Sequence, residues 1–332
     1  MRASPAIACF TLLLASAVAG EPLRRAGPVL TLDNGCITLE VAPDAGRVTR
    51  FARHGEPDRI AFDDRAVPSG TDWKPWGGDR IWPMFLQLSP QIYGAHNFDP
   101  AFDDQPWAVM EHNPAATLAS PARLTLRSRD SRHLALRIIR TITLEAGRAE
   151  VLHTVRFECL ADSPYPVHVW AVTAVRAGDY VLMEHDRRVR PAAEGESFKW
   201  WPALSPVRPA AFPLPGAAAP RALHVPWPAA ASAAAPLKVG TWGRWIALVS
   251  GGSAFVQTVR YDPAALYLDE SNLQTWLEPG RAIYEIETLG PTWFLRAGES
   301  REWTVRWRLV DFPPSLHTPA ERAGWLAETL TP

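Results

Sequence analysis

Lysine is scarce in this sequence: only Lys74, Lys199 and Lys238 occur, and arginine supplies every other permanent cation. Selection for bidentate pairing and codon usage in the source genome would each produce this bias, and we favour codon usage. The formal net charge is only -1 at pH 7. Because a surface that neutralises phosphates normally leaves its domain basic, we expect no nucleic-acid partner.

Cysteine is almost as scarce, with Cys9, Cys36 and Cys159 as the only examples. Cys9 lies in an N-terminal segment that we expect to be removed, which leaves two cysteines far apart in strand-like runs. These two can pair in an oxidising compartment or stay buried as free thiols. The sequence leaves both possibilities open.

No hydrophobic run is long enough to span a bilayer comfortably. The opening MRASPAIACFTLLLASAVAG combines Arg2, an apolar run from Ala6 to Leu14, and small residues in A-x-A spacing. This pattern predicts a signal peptide over residues 1–20, cut near Ala19 or Gly20, with an uncleaved anchor as the alternative. We therefore expect a periplasmic or secreted protein with no membrane span after cleavage.

Several nucleotide-binding and catalytic motifs are absent. The sequence contains no G-x-G-x-x-G, no P-loop, no G-x-S-x-G and no H-E-x-x-H. Nucleotide binding, serine hydrolysis of the α/β type and zincin chemistry therefore have no support. We expect the protein to use no cofactor.

Short strands fill the sequence from Val29 onward. Apolar and polar residues alternate in VLTLD, CITLEVA, HLALRIIRTITLE, AEVLHTVRFE, PVHVWAVTAV, IYEIETLG and EWTVRWRLV, with turn residues such as Asn34-Gly35 between such runs. Many strands without intervening helices predict an all-β sandwich or barrel. We expect residues 21–332 to form a single domain of this class.

A segment rich in proline and alanine covers about residues 202–236. Proline removes ladder donors and fixes φ, so an irregular path is predicted instead of strands. Strand-like runs of the same style flank the segment on both sides. We therefore predict an insertion within the domain, with an interdomain linker as the alternative.

The end of the chain carries a helix signature. Thr318 precedes Pro319, and Glu321 follows three residues after Thr318, which is a capping box with proline at the first helical position. This pattern predicts a short terminal helix docked through Trp325 and Leu330.

Tryptophan is abundant, with 15 residues, and several lie in TDWKPWGGDRIWPMF, residues 71–85. Sugars offer apolar C–H faces that stack on indole, and their hydroxyls suit a planar guanidinium. We interpret the segment as part of a saccharide site formed by Trp76, Asp79, Arg80 and Trp82. The alternative is that the indoles belong to the core and Arg80 pairs with a carboxylate.

Four segments carry motifs in a recognisable order: LDNGCITLEVAPDAGRVTRF, WGGDRIWP, AHNFDPAFDDQPWAV and YEIETLGPTWFLRAGES. They are similar to the opening hairpins, the arginine-bearing segment, the histidine loop and the final motif of the galactose-mutarotase-like superfamily, which includes aldose 1-epimerases and hexose-6-phosphate mutarotases. The resemblance covers most of the mature chain and implies an antiparallel β-supersandwich. GGDRIWP combined with IYEIETLGP points to a branch other than the true epimerases.

The resemblance also implies roles for individual residues. Mutarotation needs a base for the anomeric hydroxyl and an acid for the ring oxygen. Glu287 matches the family's base, and Glu285, one pleat away on the same face, is the other candidate. His96 and Arg80 match positions that orient the substrate. The alternative is that Glu285 and Glu287 form the solvated face of an edge strand.

The acid is where this chain departs from the family pattern. The family carries a histidine in a strand of the type N-H-x-Y-F, and the comparable strand here is PVHVWAVTAV. Trp170 occupies that region, and His168 falls a few residues early, so only an even shift keeps it on the required face. We keep His168 as the candidate acid and place Trp170 and Trp107 among the substrate-binding residues.

The loop HNFDPAFDD suggests a second chemistry. His96, Asp99, Asp103 and Asp104 are all residue types that bind metals. No fixed loop signature supports such a site, so we expect no metal.

Together these features predict an exported protein that recognises a mono- or oligosaccharide, and that acts as a mutarotase or epimerase at the anomeric centre if it is catalytic. Two alternatives stay open. One is a non-catalytic interaction module of the cell envelope, since tryptophan and arginine also anchor protein interfaces. The other is a lyase or hydrolase acting on a polysaccharide, which needs a further acid or base across from Glu287. The sugar and the oligomeric state are not predicted.

Overall fold

The computed structural model describes residues 28–63, 77–84, 89–93, 98–103, 105–186, 198–204, 212–213, 221–227 and 235–330. Within these ranges the chain forms two antiparallel β-sheets and three short α-helices. The prediction of an all-β sandwich with a C-terminal helix is confirmed.

The first sheet contains nine of the described strands. In order across the sheet they are β1 (Leu30–Asp33), β2 (Ile37–Ala42), β3 (Arg47–Arg53), β4 (Asp79–Trp82), β9 (Val167–Ala174), β18 (Ile283–Trp293), β17 (Leu273–Glu278), β14 (Leu237–Thr241) and β11 (Lys199–Trp200).

The second sheet contains ten strands in the same described ranges. Across the sheet they are β12 (Phe212–Pro213), β13 (Arg221–Pro226), β10 (Tyr180–His185), β15 (Trp245–Ser250), β16 (Ser253–Val259), β19 (Ser300–Asp311), β8 (Glu150–Cys159), β7 (Leu136–Leu144), β6 (Ala122–Arg127) and β5 (Ala108–Asn113). The helices are α1 (Ser89–Tyr93), α2 (Pro100–Asp103) and α3 (Pro319–Thr329).

Sequence alternation accounts directly for two central strands of the second sheet, β7 and β8. In β7 and β8 every second residue is buried, which places Ile138, Ile142 and Phe157 in the core between the sheets. A period of two is the pattern of a strand with one covered face. These two strands therefore follow the apolar pattern of the sequence residue by residue.

The Asn34-Gly35 turn fixes the first hairpin and ties it to the second sheet. Asn34 Oδ1 accepts the backbone N–H of Ile37, and Gly35 adopts a φ of 79° that favours glycine. Asn34 Nδ2 donates to the carbonyls of Glu145 and Arg148, which lie between β7 and β8. The turn predicted from sequence thus also positions the two sheets.

A buried ion pair distinguishes the two faces of the first sheet. Asp79 in β4 pairs with Arg140 in β7, and Thr173 Oγ1 in β9 donates to Asp79 at 2.6 Å. These residues face the second sheet, so their strand neighbours must face away from it. We call that other side the outer face of the first sheet.

One described part of the proline- and alanine-rich segment is a strand and does not follow the predicted irregular path. Arg221–Pro226 forms β13, which pairs antiparallel with β10 along its whole length. The prediction of an irregular path is therefore wrong for these residues. Strand pairing overrode composition here because RALHV lies between the prolines and retains its backbone donors.

The terminal helix forms as the capping box predicted. Thr318 accepts the N–H of Glu321, whose carboxylate in turn accepts the N–H of Thr318. Leu326 and Leu330 are buried, and Trp325 packs on Phe312 with ring centroids 5.6 Å apart. The helix docks through the face named from sequence.

Both described cysteines are free thiols, with Cys159 buried and Cys36 partly buried. Of the two possibilities, a disulfide and free thiols, the structure therefore has free thiols. Across the described ranges, none of the helices combines the length and the apolar character that a bilayer crossing requires.

Candidate functional site

The centre of the candidate site is the carboxylate of Glu287 in β18. Its side chain is completely buried, with 0% exposure. Lys238 of β14 donates from Nζ to Oε1 at 2.5 Å and also contacts Oε2. The indole N–H of Trp170 in β9 donates to Oε2 at 2.7 Å. Three strands of the first sheet, β9, β18 and β14, therefore contribute to one hydrogen-bonded carboxylate.

A second ion pair lies beside the first. Arg80 of β4 donates from Nη2 to Oε1 of Glu285 at 2.7 Å, and its guanidinium lies 4.4 Å from the ring centroid of Trp82. The Glu285 side chain retains 10% exposure and that of Arg80 only 3%. Planar stacking and a charge-assisted hydrogen bond together fix the orientation of the guanidinium.

Strand register explains why these groups meet. Residues that pair directly across an antiparallel sheet point to the same face. Lys238 pairs with Trp276, which pairs with Glu285. In the adjacent row across the sheet, Arg80 and Glu287 both pair with the same residue of β9, one from each side. Both glutamates consequently project from the outer face, one pleat apart.

Trp201 packs against β14 beside Gly240 and Lys238. A Cβ on Gly240 would lie 2.8 Å from Trp201 Cη2, so only glycine leaves room for this ring. The ammonium groups of Lys199 and Lys238 lie 5.5 Å and 5.7 Å from its centroid. Lys199 also pairs with Glu270. Lys238 is therefore flanked by two indoles, since it lies 5.5 Å from Trp170 as well.

Burial controls the electrostatics of the central carboxylate. Burial raises the pKa of Glu287, the Lys238 ammonium opposes that change, and the nearby Glu285 carboxylate adds to it. The ion pair and the indole donor favour the ionised form. An ionised carboxylate whose pKa is raised is a stronger base than one in water.

A third buried pair supports the β4 side of the site. Arg47 of β3 donates to Asp103 of α2 at 2.5 Å and to the Gly77 carbonyl at 2.6 Å. Burial lowers the pKa of Arg47 to about 10, against the opposing effect of Asp103. Trp82 Nε1 donates to the same Asp103 carboxylate at 3.0 Å. Helix α2 is thereby fastened to the outer face.

Solved structures share this architecture. They include a protein from Synechocystis sp. (13% identity, TM-score 0.55, covering 90% of this chain and 100% of that one). They also include a galactose mutarotase-like protein from Lactobacillus casei (14%, 0.53, 85% and 100%) and a galactose 1-epimerase from Lactobacillus acidophilus (12%, 0.51, 85% and 94%). The chain has the galactose mutarotase-like fold. No protein-family profile and no curated protein matches the sequence.

Within the mutarotase-like fold, the structure brings together four of the site residues named from sequence. Arg80, Glu285, Glu287 and Trp170 all lie on the outer face, where Arg80 pairs with Glu285 and Trp170 donates to Glu287. The alternative of a solvated E-x-E face does not hold, because Glu287 is buried in the interior of the sheet.

Asp79 and Trp107 lie elsewhere, which corrects their assignment to substrate binding. Asp79 faces the second sheet, where Arg140 and Thr173 use its carboxylate. Trp107 is only 4% exposed and belongs to the main core, where a Cβ on Gly46 would lie 2.4 Å from its ring. Neither side chain is presented on the outer face beside Glu287.

Trp82 belongs to the wall of the site and not to its surface. Its ring stacks on Phe98 at 3.7 Å and 13°, and it meets Trp170 edge-on at 5.1 Å. With 2% exposure, it cannot offer a free face for a sugar to stack on. The expectation that Trp82 stacks on a sugar is therefore wrong. Its ring instead packs against Arg80 and Trp170 and holds them in place.

His168 stands two residues before Trp170, an even spacing that keeps it on the outer face of β9. It is fully buried, with Nδ1 3.0 Å from Thr292 Oγ1 and Nε2 3.6 Å from Asp269 Oδ2. His96 and Trp76, the other site residues predicted from sequence, lie outside the described residues.

The acidic loop does not form a metal cluster among the described residues. Asp103 is engaged by Arg47 and Trp82, and the Asp99 carboxylate accepts Ser131 Oγ and the Ala101 N–H. His96 and Asp104, the other two candidate ligands, fall outside the described ranges.

Sequence reasoning missed Lys238, Trp201 and Trp276. The rarity of lysine was the one signal in the sequence, but it did not show that Lys199 and Lys238 flank the same indole. Their separation by 39 positions in the chain, from Lys199 to Lys238, hid this relationship. Only the pairing of β11 with β14 brings them together.

Proposed function

We propose that this chain is an exported saccharide-binding protein that interconverts the anomers of an aldose, with Glu287 as the base. The observation that carries the proposal is the single outer-face cluster of Glu287, Glu285, Arg80 and Trp170 in a sheet of the mutarotase-like fold. A galactose 1-epimerase with this fold, from Lactobacillus acidophilus, supports the substrate class.

The chemistry of the cluster suits a sugar. The Arg80 and Glu285 pair offers donors and acceptors in fixed positions to neighbouring hydroxyls, while Trp201 and Trp276 supply partly exposed indole surface. Glu287 is a carboxylate of raised pKa that can accept the proton of an anomeric hydroxyl. Binding groups and base thus share one face.

A proton NMR time course of freshly dissolved α-anomers, with and without protein, tests the activity. We expect faster relaxation towards the anomeric equilibrium for at least one sugar in a small panel. Glu287→Gln should reduce the acceleration by a factor of about 100 or more, since a general base contributes roughly that much. Glu302→Gln, on the exposed surface of β19, is the matched control and should retain the rate.

Saccharide binding without any acceleration would contradict the catalytic half of the proposal and leave recognition as the function. Absence of both binding and acceleration would contradict the proposal altogether. The alternative of an envelope interaction module would then be tested by affinity capture from cell envelopes.

Export is part of the same proposal. The pattern of residues 1–20 supports it, although these residues lie outside those that the structure describes. Expression of the full chain should yield a periplasmic or secreted product that starts near residue 20 or 21, measured by intact mass. A full-length mass in the cell membrane fraction would support the uncleaved anchor instead.

A further inference from the structure

Lys238 is built into the centre of the candidate site. Its side chain is only 7% exposed, and Nζ lies between the carboxylate of Glu287 and the indoles of Trp170 and Trp201. The distance from Nζ to Glu287 Oε1 is 2.5 Å. This is a direct hydrogen bond along which a proton can pass.

The residue type matters in this position. A guanidinium would form a two-pronged pair with Glu287 and would keep its protons, because arginine is not deprotonated in proteins. A lysine ammonium offers three protons from one atom and can release one of them. The chain uses arginine almost everywhere else, including the three neighbouring buried pairs of Arg47, Arg80 and Arg140.

Ring opening of an aldose requires two proton transfers at one carbon. The anomeric hydroxyl must lose its proton, and the ring oxygen must gain one as its bond to the anomeric carbon breaks. Both oxygens are attached to that same carbon. An acceptor and a donor that are hydrogen-bonded neighbours, as Glu287 and Lys238 are, match two such closely spaced atoms.

We propose that Lys238 is the proton donor to the ring oxygen, a catalytic residue that works together with Glu287. This inference rests on the proposed function. In the opening step, Glu287 takes the hydroxyl proton and the electrons of that O–H bond form the aldehyde C=O bond. The bond between the anomeric carbon and the ring oxygen breaks, and its electron pair takes a proton from Lys238. The products are the open-chain aldehyde, a carboxylic acid and an amine.

Ring closure returns both groups to their starting state. Rotation about the bond next to the aldehyde presents the opposite face of the carbonyl to the chain hydroxyl. Lys238 takes the proton of that hydroxyl as the ring bond forms, and Glu287 gives its proton to the carbonyl oxygen. The other anomer leaves, the ion pair of Glu287 and Lys238 is restored, and no oxidant or reductant is consumed.

The pair of Glu287 and Lys238 also explains how ring opening can proceed without the acidic histidine that the family resemblance implies. The strand that would carry it has Trp170 in the corresponding region, and the indole N–H by which Trp170 donates to Glu287 is a hydrogen-bond donor that does not ionise. His168, the candidate from sequence, faces Thr292 and Asp269. Lys238 reaches the same carboxylate from β14, on the opposite side of β18.

The test compares Lys238→Arg and Lys238→Met with the unmodified protein, using the anomer time course for rate and saccharide titration by ligand-observed NMR for binding. Lys238→Arg keeps the positive charge beside Glu287 but cannot release a proton. We expect it to lose a factor of about 100 or more in rate while its saccharide affinity changes only a few-fold. Arg301→Lys, on the exposed surface of β19, is the control and should retain the rate.

Lys238→Met leaves a buried carboxylate without its cation, so its thermal unfolding must be measured beside its rate. The conclusion depends on Lys238→Arg. Retention of the full rate by Lys238→Arg would overturn the role of Lys238 while leaving the proposed function in place. If the unmodified protein binds sugars without accelerating mutarotation, the role of Lys238 is overturned together with catalysis by Glu287. If it binds none, the proposed function itself fails.

Discussion

Asp79 and Arg80 are consecutive residues, yet they form ion pairs on opposite faces of the first sheet. Asp79 contacts Arg140 in the core between the sheets, and Arg80 contacts Glu285 on the outer face. Strand alternation imposes this separation, because successive side chains point to opposite sides. The stability of the core and the chemistry of the site can therefore be tested with neighbouring substitutions.

Asp79→Asn should lower the free energy of unfolding strongly. The change leaves the guanidinium of Arg140, which is 0% exposed, without its anionic partner, and breaking such a pair costs about 3–5 kcal/mol. Urea denaturation measures the loss. Asp130→Asn is the control, because its pair with Arg137 is exposed and contributes about 0–1 kcal/mol. Equal losses for the two variants would contradict the prediction.

Removing both charges of the outer-face pair should affect ligand binding more than stability. Arg80→Met combined with Glu285→Gln leaves no buried lone charge, and such paired replacements are often close to neutral for folding. We expect saccharide affinity to fall at least about tenfold, because hydrogen bonds to charged groups are lost. Isothermal titration and thermal unfolding on the same sample distinguish the two effects. Unchanged affinity would remove this pair from the binding site.

Gly240→Ala should weaken saccharide binding by displacing an indole. The new Cβ would lie 2.8 Å from Trp201 Cη2 and 2.7 Å from Ser271 Oγ, so the indole ring of Trp201 must move away from β14. Quenching of tryptophan fluorescence by added sugar measures the change. Gly252→Ala, where a Cβ meets nothing within 4 Å, is the control. Equal affinities of the two variants would exclude a role for Trp201 in binding.

His153 should make the protein less stable in mild acid. Burial holds the pKa of His153 well below its ordinary value, and Arg140, which donates to its Nδ1 at 3.0 Å, acts in the same direction. As the pH falls below the ordinary histidine pKa, the unfolded chain therefore binds a proton at His153 while the folded state does not. The contribution is complete above about pH 6.5 and is lost below it, at about 1.4 kcal/mol per pH unit, until the folded pKa is reached.

Denaturant unfolding of His153→Gln at several pH values between about 7.5 and about 5, which span the ordinary pKa of histidine, measures that slope. The variant should depend less on pH than the unmodified protein. His112→Gln, on the exposed strand β5, provides the comparison and should leave the slope unchanged. A slope unaffected by His153→Gln would assign the acid sensitivity to other groups.

Thr318→Ala should destabilise the docking of α3. It removes the acceptor for the Glu321 N–H and breaks the capping box, which costs about 1 kcal/mol. Chemical denaturation measures this loss. Thr329→Ala, at the exposed C-terminal end of the same helix, is the control and should change stability by less than about 0.5 kcal/mol.

Local patterns in the sequence predicted the features that depend on neighbours in the chain. Period-two alternation predicted the strands, Asn34-Gly35 predicted a turn, and Thr318 with Glu321 predicted a helix start. Each is governed by backbone geometry and by one or two nearby side chains. The same reasoning failed for Arg221–Pro226, because pairing with β10 is a long-range contact that composition does not encode.

The position of Glu285 and Glu287 on one face was determined by the sequence, since two residues separated by one in a strand must point the same way. Which face each side chain occupies, and what covers it, was decided only by the tertiary structure. The consecutive positions of Asp79 and Arg80 in the sequence did not show that Asp79 belongs to the core and Arg80 to the site. Lys238 became part of the site because β14, β17 and β18 lie side by side, and that arrangement arises when the sheets pack and bury their apolar faces.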